Sequence, residues 1–132
     1  MTCNLCGKDM SCKACDIFPK TITIDKPWGN EIIWANTDKY IGKILTILAG
    51  KRLSLQHHEV KEETMLVIEG SLKLTYGDDI NNLKTKMISV NDIIHLKPKM
   101  IHRIEAINNS KIIEISTTEL NDIIRHSDDY GR

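Results

Sequence analysis

Short runs rich in β-branched and aliphatic residues recur roughly every eight to twelve residues from Thr21 to Thr117, and polar turn clusters separate them. The runs are Thr21–Ile24, Glu31–Ala35, Tyr40–Leu48, Leu53–His58, Glu63–Ile68, Leu72–Tyr76, Lys86–Val90, Ile93–Leu96, Ile101–Ile107 and Ile112–Thr117. The breaks between them include Pro27-Trp28-Gly29-Asn30, Ala49-Gly50-Lys51, Glu69-Gly70-Ser71, Gly77-Asp78-Asp79 and Asn108-Asn109-Ser110. Each break combines residues that favour turns for steric or hydrogen-bonding reasons. No strong helical period runs through this region. Many short, evenly spaced strands predict an all-β protein, a barrel or jelly roll. Only the tail Leu120–Arg125 reads as a short helix.

A chain of 132 residues is one domain with room for a real core. Its 18 basic and 18 acidic residues cancel, and no basic stretch is long or isolated, so no nucleic-acid footprint is expected. Aromatic content of 5% also argues against base-stacking platforms. The apolar run Ile44–Ala49 is far too short to span a bilayer. The start, MTCNLCGKDM, lacks the apolar core of a signal peptide, so a cytoplasmic location is expected.

Composition changes after the first residues. Cys3, Cys6, Cys12 and Cys15 form C-x2-C-x5-C-x2-C and are all the cysteines of the chain. Residues 1–20 read as an appended arm and residues 21–132 as the barrel. Paired cysteines in a reducing compartment point to thiolate chemistry instead of disulfides. One zinc held by the four thiolates would close an arm too small to fold unaided. A tail with four free thiols is the alternative, and an iron–sulfur cluster a third.

The densest chemistry lies in Gly50–Gly70, GKRLSLQHHEVKEETMLVIEG, read with His102. If Leu53–His58 is a strand, period-2 alternation puts Arg52, Ser54, Gln56 and His58 on one face, and Leu53, Leu55 and His57 on the other. Glu63 returns beside them after the turn Glu59–Glu62. Imidazoles, a carboxylate and an amide oxygen on one wall suit a divalent transition metal. Zinc is the first choice, with manganese, iron, cobalt or nickel as alternatives. Arg52 on that inward face predicts an anionic partner, because an uncompensated inward guanidinium is costly. His57 and His95 read as ordinary packed or exposed histidines. Lys97 and Lys99 read as solvated loop lysines, and Glu114 as a strand residue that pairs with an arginine or serves the site.

Gly50–Gly70 and the second segment, Asn91–Ala106, together resemble the paired motifs of the cupin superfamily. That resemblance implies a cupin-type jelly-roll barrel with Gln56, His58, Glu63 and His102 as metal ligands. Asn91 and Lys99 stand where the second motif usually has glycines, and Gln56 where most cupins have histidine. The strings LSLQ-x-H, KPWG-x-E at Lys26–Glu31 and DIIR-x-x-DDYGR are similar to the isomerase domain of type II mannose-6-phosphate isomerases. Lys43 matches a lysine those domains carry in the preceding strand. Glu59, Val60, Thr64 and Met65 occupy positions where that family has extra histidines and a tryptophan.

The resemblance implies aldose–ketose isomerisation of a sugar phosphate, with Arg52, Lys43 or the Lys97–Lys99 loop holding the phosphate. Glu31, Glu114 and His57 are candidate bases. A homodimer is expected. No Gly-rich phosphate loop occurs in these residues, so sugar-nucleotide synthesis is not expected of them. A non-catalytic metal- or sugar-binding cupin is the alternative. A metal-dependent oxygenase is a further one, disfavoured because Gln56 replaces an imidazole that would help hold redox iron.

Overall fold

The structure, a computed structural model, describes residues 17–132. Cys3, Cys6, Cys12 and Cys15 lie outside the described residues, and the zinc-knuckle reading with them. None of the described residues is helical. Eleven strands form two antiparallel sheets: β1 (Ile22–Lys26), β2 (Gly29–Asn36), β3 (Ile41–Ile47), β4 (Leu55–His57), β5 (Glu63–Glu69), β6 (Ser71–Gly77), β7 (Lys84–Ser89), β8 (Ile93–Leu96), β9 (Ile101–Ala106), β10 (Ser110–Ser116) and β11 (Ile124–Ser127). One sheet has the order β1-β2-β3-β10-β5-β8 and the other β11-β4-β9-β6-β7.

The inward-facing residues of the two sheets build one core. Leu45, Met65, Val67 and Ile112 from the six-stranded sheet meet Leu72, Leu74, Ile104 and Ala106 from the other. Burying each larger aliphatic side chain contributes about 1.5–3 kcal/mol. Toward one end of the sandwich the apolar inner face gives way to polar residues. Lys43, Glu114 and Met65 are cross-strand neighbours on β3, β10 and β5, and all three are buried. Glu31 sits across from Leu45 on the next strand. Gln56 of β4 pairs with His102 of β9 on the opposite sheet.

The turn that starts β2 shows how the sequence sets this geometry. Gly29 has φ +151°, and a Cβ there would lie 1.9 Å from the Thr46 carbonyl oxygen. Only glycine allows β2 to enter against β3 at this distance. That entry carries Trp28 into the core and turns Glu31 inward.

The tail departs from the sequence reading. Leu120–Arg125 is not a helix: Leu120–Ile123 form a turn and loop, and Ile124–Ser127 pair with β4. The tail is held by side chains and not by a helical period. The Asp122 carboxylate accepts the backbone N–H groups of Glu59, Val60 and Lys61 at 2.9, 2.7 and 2.8 Å. Tyr130 donates its hydroxyl to the Arg52 carbonyl at 2.9 Å.

Candidate metal centre

A cavity of about 340 Å³ opens at the polar end of the sandwich. His58, Glu63 and His102 meet in its wall, each buried, with one donor atom apiece lying within 4.8 Å of the others. His58 follows β4, Glu63 opens β5, and His102 lies on β9, so both sheets contribute. The imidazoles are oriented from behind. His58 Nδ1 lies 2.5 Å from the Asp122 carbonyl oxygen, and His102 Nδ1 lies 3.0 Å from that of Met100. A carbonyl only accepts, so each Nδ1 carries the proton and each Nε2 presents a lone pair. Those Nε2 atoms stand 3.4 and 3.3 Å from Glu63 Oε1.

Both carboxylate oxygens of Glu63 are buried with no hydrogen-bond partner among the described residues. Lys61 Nζ lies 3.0 Å from Oε2, an ion-pair contact without hydrogen-bond geometry. Three lone-pair donors that face one another without a proton between them are a poor arrangement alone and a good one around a cation. The residues therefore fit a divalent metal, and the backbone carbonyls behind the imidazoles are the supports such ligands commonly use. Gln56 is buried in the same wall, beside His102, where its amide oxygen can serve as a fourth ligand.

The charges around this group are strongly coupled. Burial pushes the Glu63 carboxyl up, but His102, His58 and Lys61 outweigh it and hold it well below the usual range. Burial pushes His58 down, but the neighbouring Glu63 carboxylate raises it overall. Glu114 is pushed up to about 7, first by burial and then by the Glu63 charge. Lys61 is raised overall, because Glu114 and Glu63 outweigh its burial.

Lys43 lines the cavity but is committed to an ion pair with Glu31, which Lys26 also approaches at 3.6 Å. Arg52 requires a correction. It does not line the cavity, and its guanidinium grips Asp129 through Nε at 2.6 Å and Nη2 at 2.8 Å. The predicted anionic partner exists, but it belongs to the chain. Regular alternation fails here because the ladder breaks: Arg52 makes an isolated bridge to Glu105, and β4 begins only at Leu55. Leu53 and Ser54 both line the cavity, while Arg52 turns away.

His57 and His95 lie outside the cavity lining, His57 against His126 and Glu59, and His95 against Glu62. Lys97 and Lys99 are exposed and do not line the cavity either. Glu114 pairs with a lysine, not an arginine: Lys61 Nζ is 3.4 Å from its Oε2. Sequence reasoning missed Lys61, which is only 7% exposed. It sits in a turn of glutamates that reads as solvated, and Glu114 lies 53 positions away. It also missed Arg125 as a wall residue of the cavity.

The family model described as mannose-6-phosphate isomerase C-terminal matches residues 16–128. The chain belongs to that family. Among curated relatives of this C-terminal domain, a mannose-1-phosphate guanylyltransferase of Escherichia coli is 32% identical over 114 residues, covering 81% of this chain and 22% of the relative. The alginate biosynthesis protein AlgA of Pseudomonas aeruginosa is 27% identical over 133 residues, covering 96% of this chain and 25% of AlgA. The chain thus spans about a quarter of the length of these relatives.

Solved structures show the same fold at low identity. The capsular polysaccharide assembling protein CapF of Staphylococcus aureus superposes with TM-score 0.73 at 14% identity, over 86% of this chain and 34% of that one. Oxalate decarboxylase of Bacillus subtilis gives TM-score 0.72 at 14% identity, over 81% and 30%. The barrel therefore has the cupin-type jelly-roll fold. No helix among the described residues is long and apolar enough to cross a membrane.

Proposed function

We propose that this domain isomerises a phosphorylated sugar between aldose and ketose in the metal-lined cavity. The observation that carries the reading is the meeting of His58 Nε2, His102 Nε2 and Glu63 within 4.8 Å, in a cavity with further carboxylates and cations on its wall. Membership of a mannose-6-phosphate isomerase domain family supports the substrate class. Gln56, His58, Glu63 and His102 are the ligands in this reading, with zinc as first candidate and manganese, cobalt, nickel or iron next. A bound divalent ion would act as a Lewis acid toward the sugar carbonyl and its neighbouring hydroxyl.

The remaining work falls to this chain's own groups. Three cavity carboxylates stand outside the ligand set, and that of Asp122 is taken up by the backbone N–H groups of Glu59, Val60 and Lys61. Glu31 is held by Lys43 and Lys26. Glu114 is touched by a cation on Oε2 only, at 3.4 Å, which leaves Oε1 as the acceptor for a proton moving between C1 and C2. Lys61 holds Glu114 in place. Arg125 lines the cavity and has no ion pair among the described residues, so it replaces Arg52 as the group that binds the phosphate through charge-assisted hydrogen bonds.

A coupled assay with mannose 6-phosphate and other hexose and pentose phosphates tests the reading, with each of the five metals in turn. Arg125→Ala should raise KM roughly ten- to hundredfold, the equivalent of about 1.5–3 kcal/mol. Glu114→Gln should depress kcat and leave metal content unchanged. His58→Ala or His102→Ala should remove the metal from a barrel that still folds. Metal-loaded protein that isomerises none of these sugars, yet binds an unphosphorylated ligand tightly, would overturn the reading in favour of a binding module.

A further inference from the structure

One short segment, Leu96–Met100, supports all three residues of the metal centre from behind. Leu96, the last residue of β8, pairs with Glu63 across the sheet. Lys99 donates its N–H to the His58 carbonyl at 2.6 Å. His102 donates its Nδ1–H to the Met100 carbonyl at 3.0 Å. Tyr76 on β6 adds another support, as the cross-strand partner of His102. A displacement of Leu96–Met100 is therefore felt at each of the three side chains.

Leu96, Met100 and Tyr76 also border a second cavity, of about 400 Å³, that shares no lining residue with the first. It opens beside β7 and β8, the edge strands of the two sheets. Its volume lies in the range of small-molecule sites, about 300–1,000 Å³. Leu74, Ile88, Ile94 and Leu96, all buried, form its floor, which favours apolar surface taken out of water. The mouth is charged. Lys86 stands across from Leu74 and shares the inner face of β7 with Ile88. Asp92 accepts the Ser89 N–H at 2.8 Å, and His95 is paired with Glu62. Lys86 has no ion pair among the described residues. An apolar floor below one free cation suits an apolar tail that ends in a single negative charge. Asp92 on the same rim disfavours a doubly charged head.

We propose that this second cavity binds a small carboxylate with an aliphatic tail, the tail against Leu74, Ile88, Ile94 and Leu96 and the carboxylate on Lys86, and that its occupation tunes the metal affinity of the first cavity through Leu96–Met100. The tail inserts beside Leu96 and Met100, so the free energy of filling the cavity depends on where that segment sits. The same segment sets the placement of His58, Glu63 and His102, and two sites that bias one element are coupled. The coupling rests on those three residues being metal ligands; the binding itself does not.

Octanoate is the probe, titrated into the full chain in chelator and followed by methyl NMR. It should saturate and move the signals of Ile88, Ile94 and Met100, while those of Leu120 and Ile123 at the first cavity stay in place. Lys86→Glu, at an exposed position, should weaken octanoate roughly fivefold and turn the preference to octylamine. With the cysteines blocked and chelator removed, saturating octanoate should change the Kd for zinc about fivefold or more, and zinc should change the octanoate Kd by the same factor. Octanoate that does not bind at millimolar concentration, that moves Leu120 and Ile123 instead, or that binds Lys86→Glu as tightly as wild type would overturn the proposal. An unchanged zinc Kd would overturn the coupling. A chain that binds octanoate at Ile88 and Ile94 but no metal would refute the metal-centre reading and support this site.

Discussion

Replacing Lys99 with glycine should stabilise the barrel. Lys99 is one of only two described residues other than glycine with positive φ, at 71°, and Asn91 at 75° is the other. A residue with a Cβ loses about 1–2 kcal/mol in the left-handed region. Glycine avoids that loss but gives up about 0.5–1 kcal/mol more chain entropy on folding. The net gain from Lys99→Gly is then about 0.5–1 kcal/mol. In a domain of this size that corresponds to a Tm rise of roughly 2–4 °C. The side chain itself is exposed, so its removal should subtract little. The backbone matters more: Lys99 donates its N–H to the His58 carbonyl at 2.6 Å and lies just before the strand that carries His102. Thermal unfolding followed by circular dichroism, with Lys99→Ala as the control that removes the charge but keeps the Cβ, gives the test. Lys99→Ala should leave Tm nearly unchanged. Asn91→Gly should gain less than Lys99→Gly, because asparagine tolerates this region better. A Tm that falls in Lys99→Gly would refute the reasoning and show that the lysine side chain holds the loop.

Arg52→Ala should lower Tm by loosening the segment that carries Asp129, and it should leave KM for a sugar phosphate within threefold of wild type; a tenfold KM increase in a steady-state assay would restore Arg52 to the anion site. Asp122 is held down to about 2 by the backbone N–H groups of Lys61, Glu59 and Val60, below its ordinary 3.8. A depressed carboxyl stabilises the fold at pH values above its unfolded pKa and loses that contribution as pH falls through the folded one. Asp122→Asn should therefore flatten the stability profile between pH 3.8 and 2 in acid titrations followed by fluorescence. Gly29→Ala should destabilise by about 3 kcal/mol or more in urea unfolding, because its Cβ meets a backbone oxygen that cannot retreat.

The strands were legible because burial on one face leaves a mark on sequence. All ten runs from Thr21 to Thr117 became strands, most with ends displaced by one or two residues. β11 left no such mark. Its residues Ile124–Ser127 are all exposed, so it exists through pairing with β4 and not through an apolar pattern. Asn91 and Lys99 were visible in the sequence as departures from glycine, and both positions have positive φ, 75° and 71°. Arg52 was misplaced because alternation was extended through residues that are not strand. Lys61 and Glu114 meet only after β10 has joined β5, and no local signal at either residue names the other.

The position of β10 bears on how the chain reaches this state. β10 inserts between β3 and β5, pairing Ile112 with Leu45 on one side and Val67 on the other. The first of those pairs closes a loop of more than sixty residues. Folding through such distant pairings is slow, since the closure entropy is lost before the contacts compensate it. Gln56 and His102 meet across a shorter but still distant separation in the chain, so the candidate ligands assemble late, after the strands have found their order. A metal ion added to refolding chains should thus leave the rate of collapse untouched and act mainly by slowing the reverse reaction.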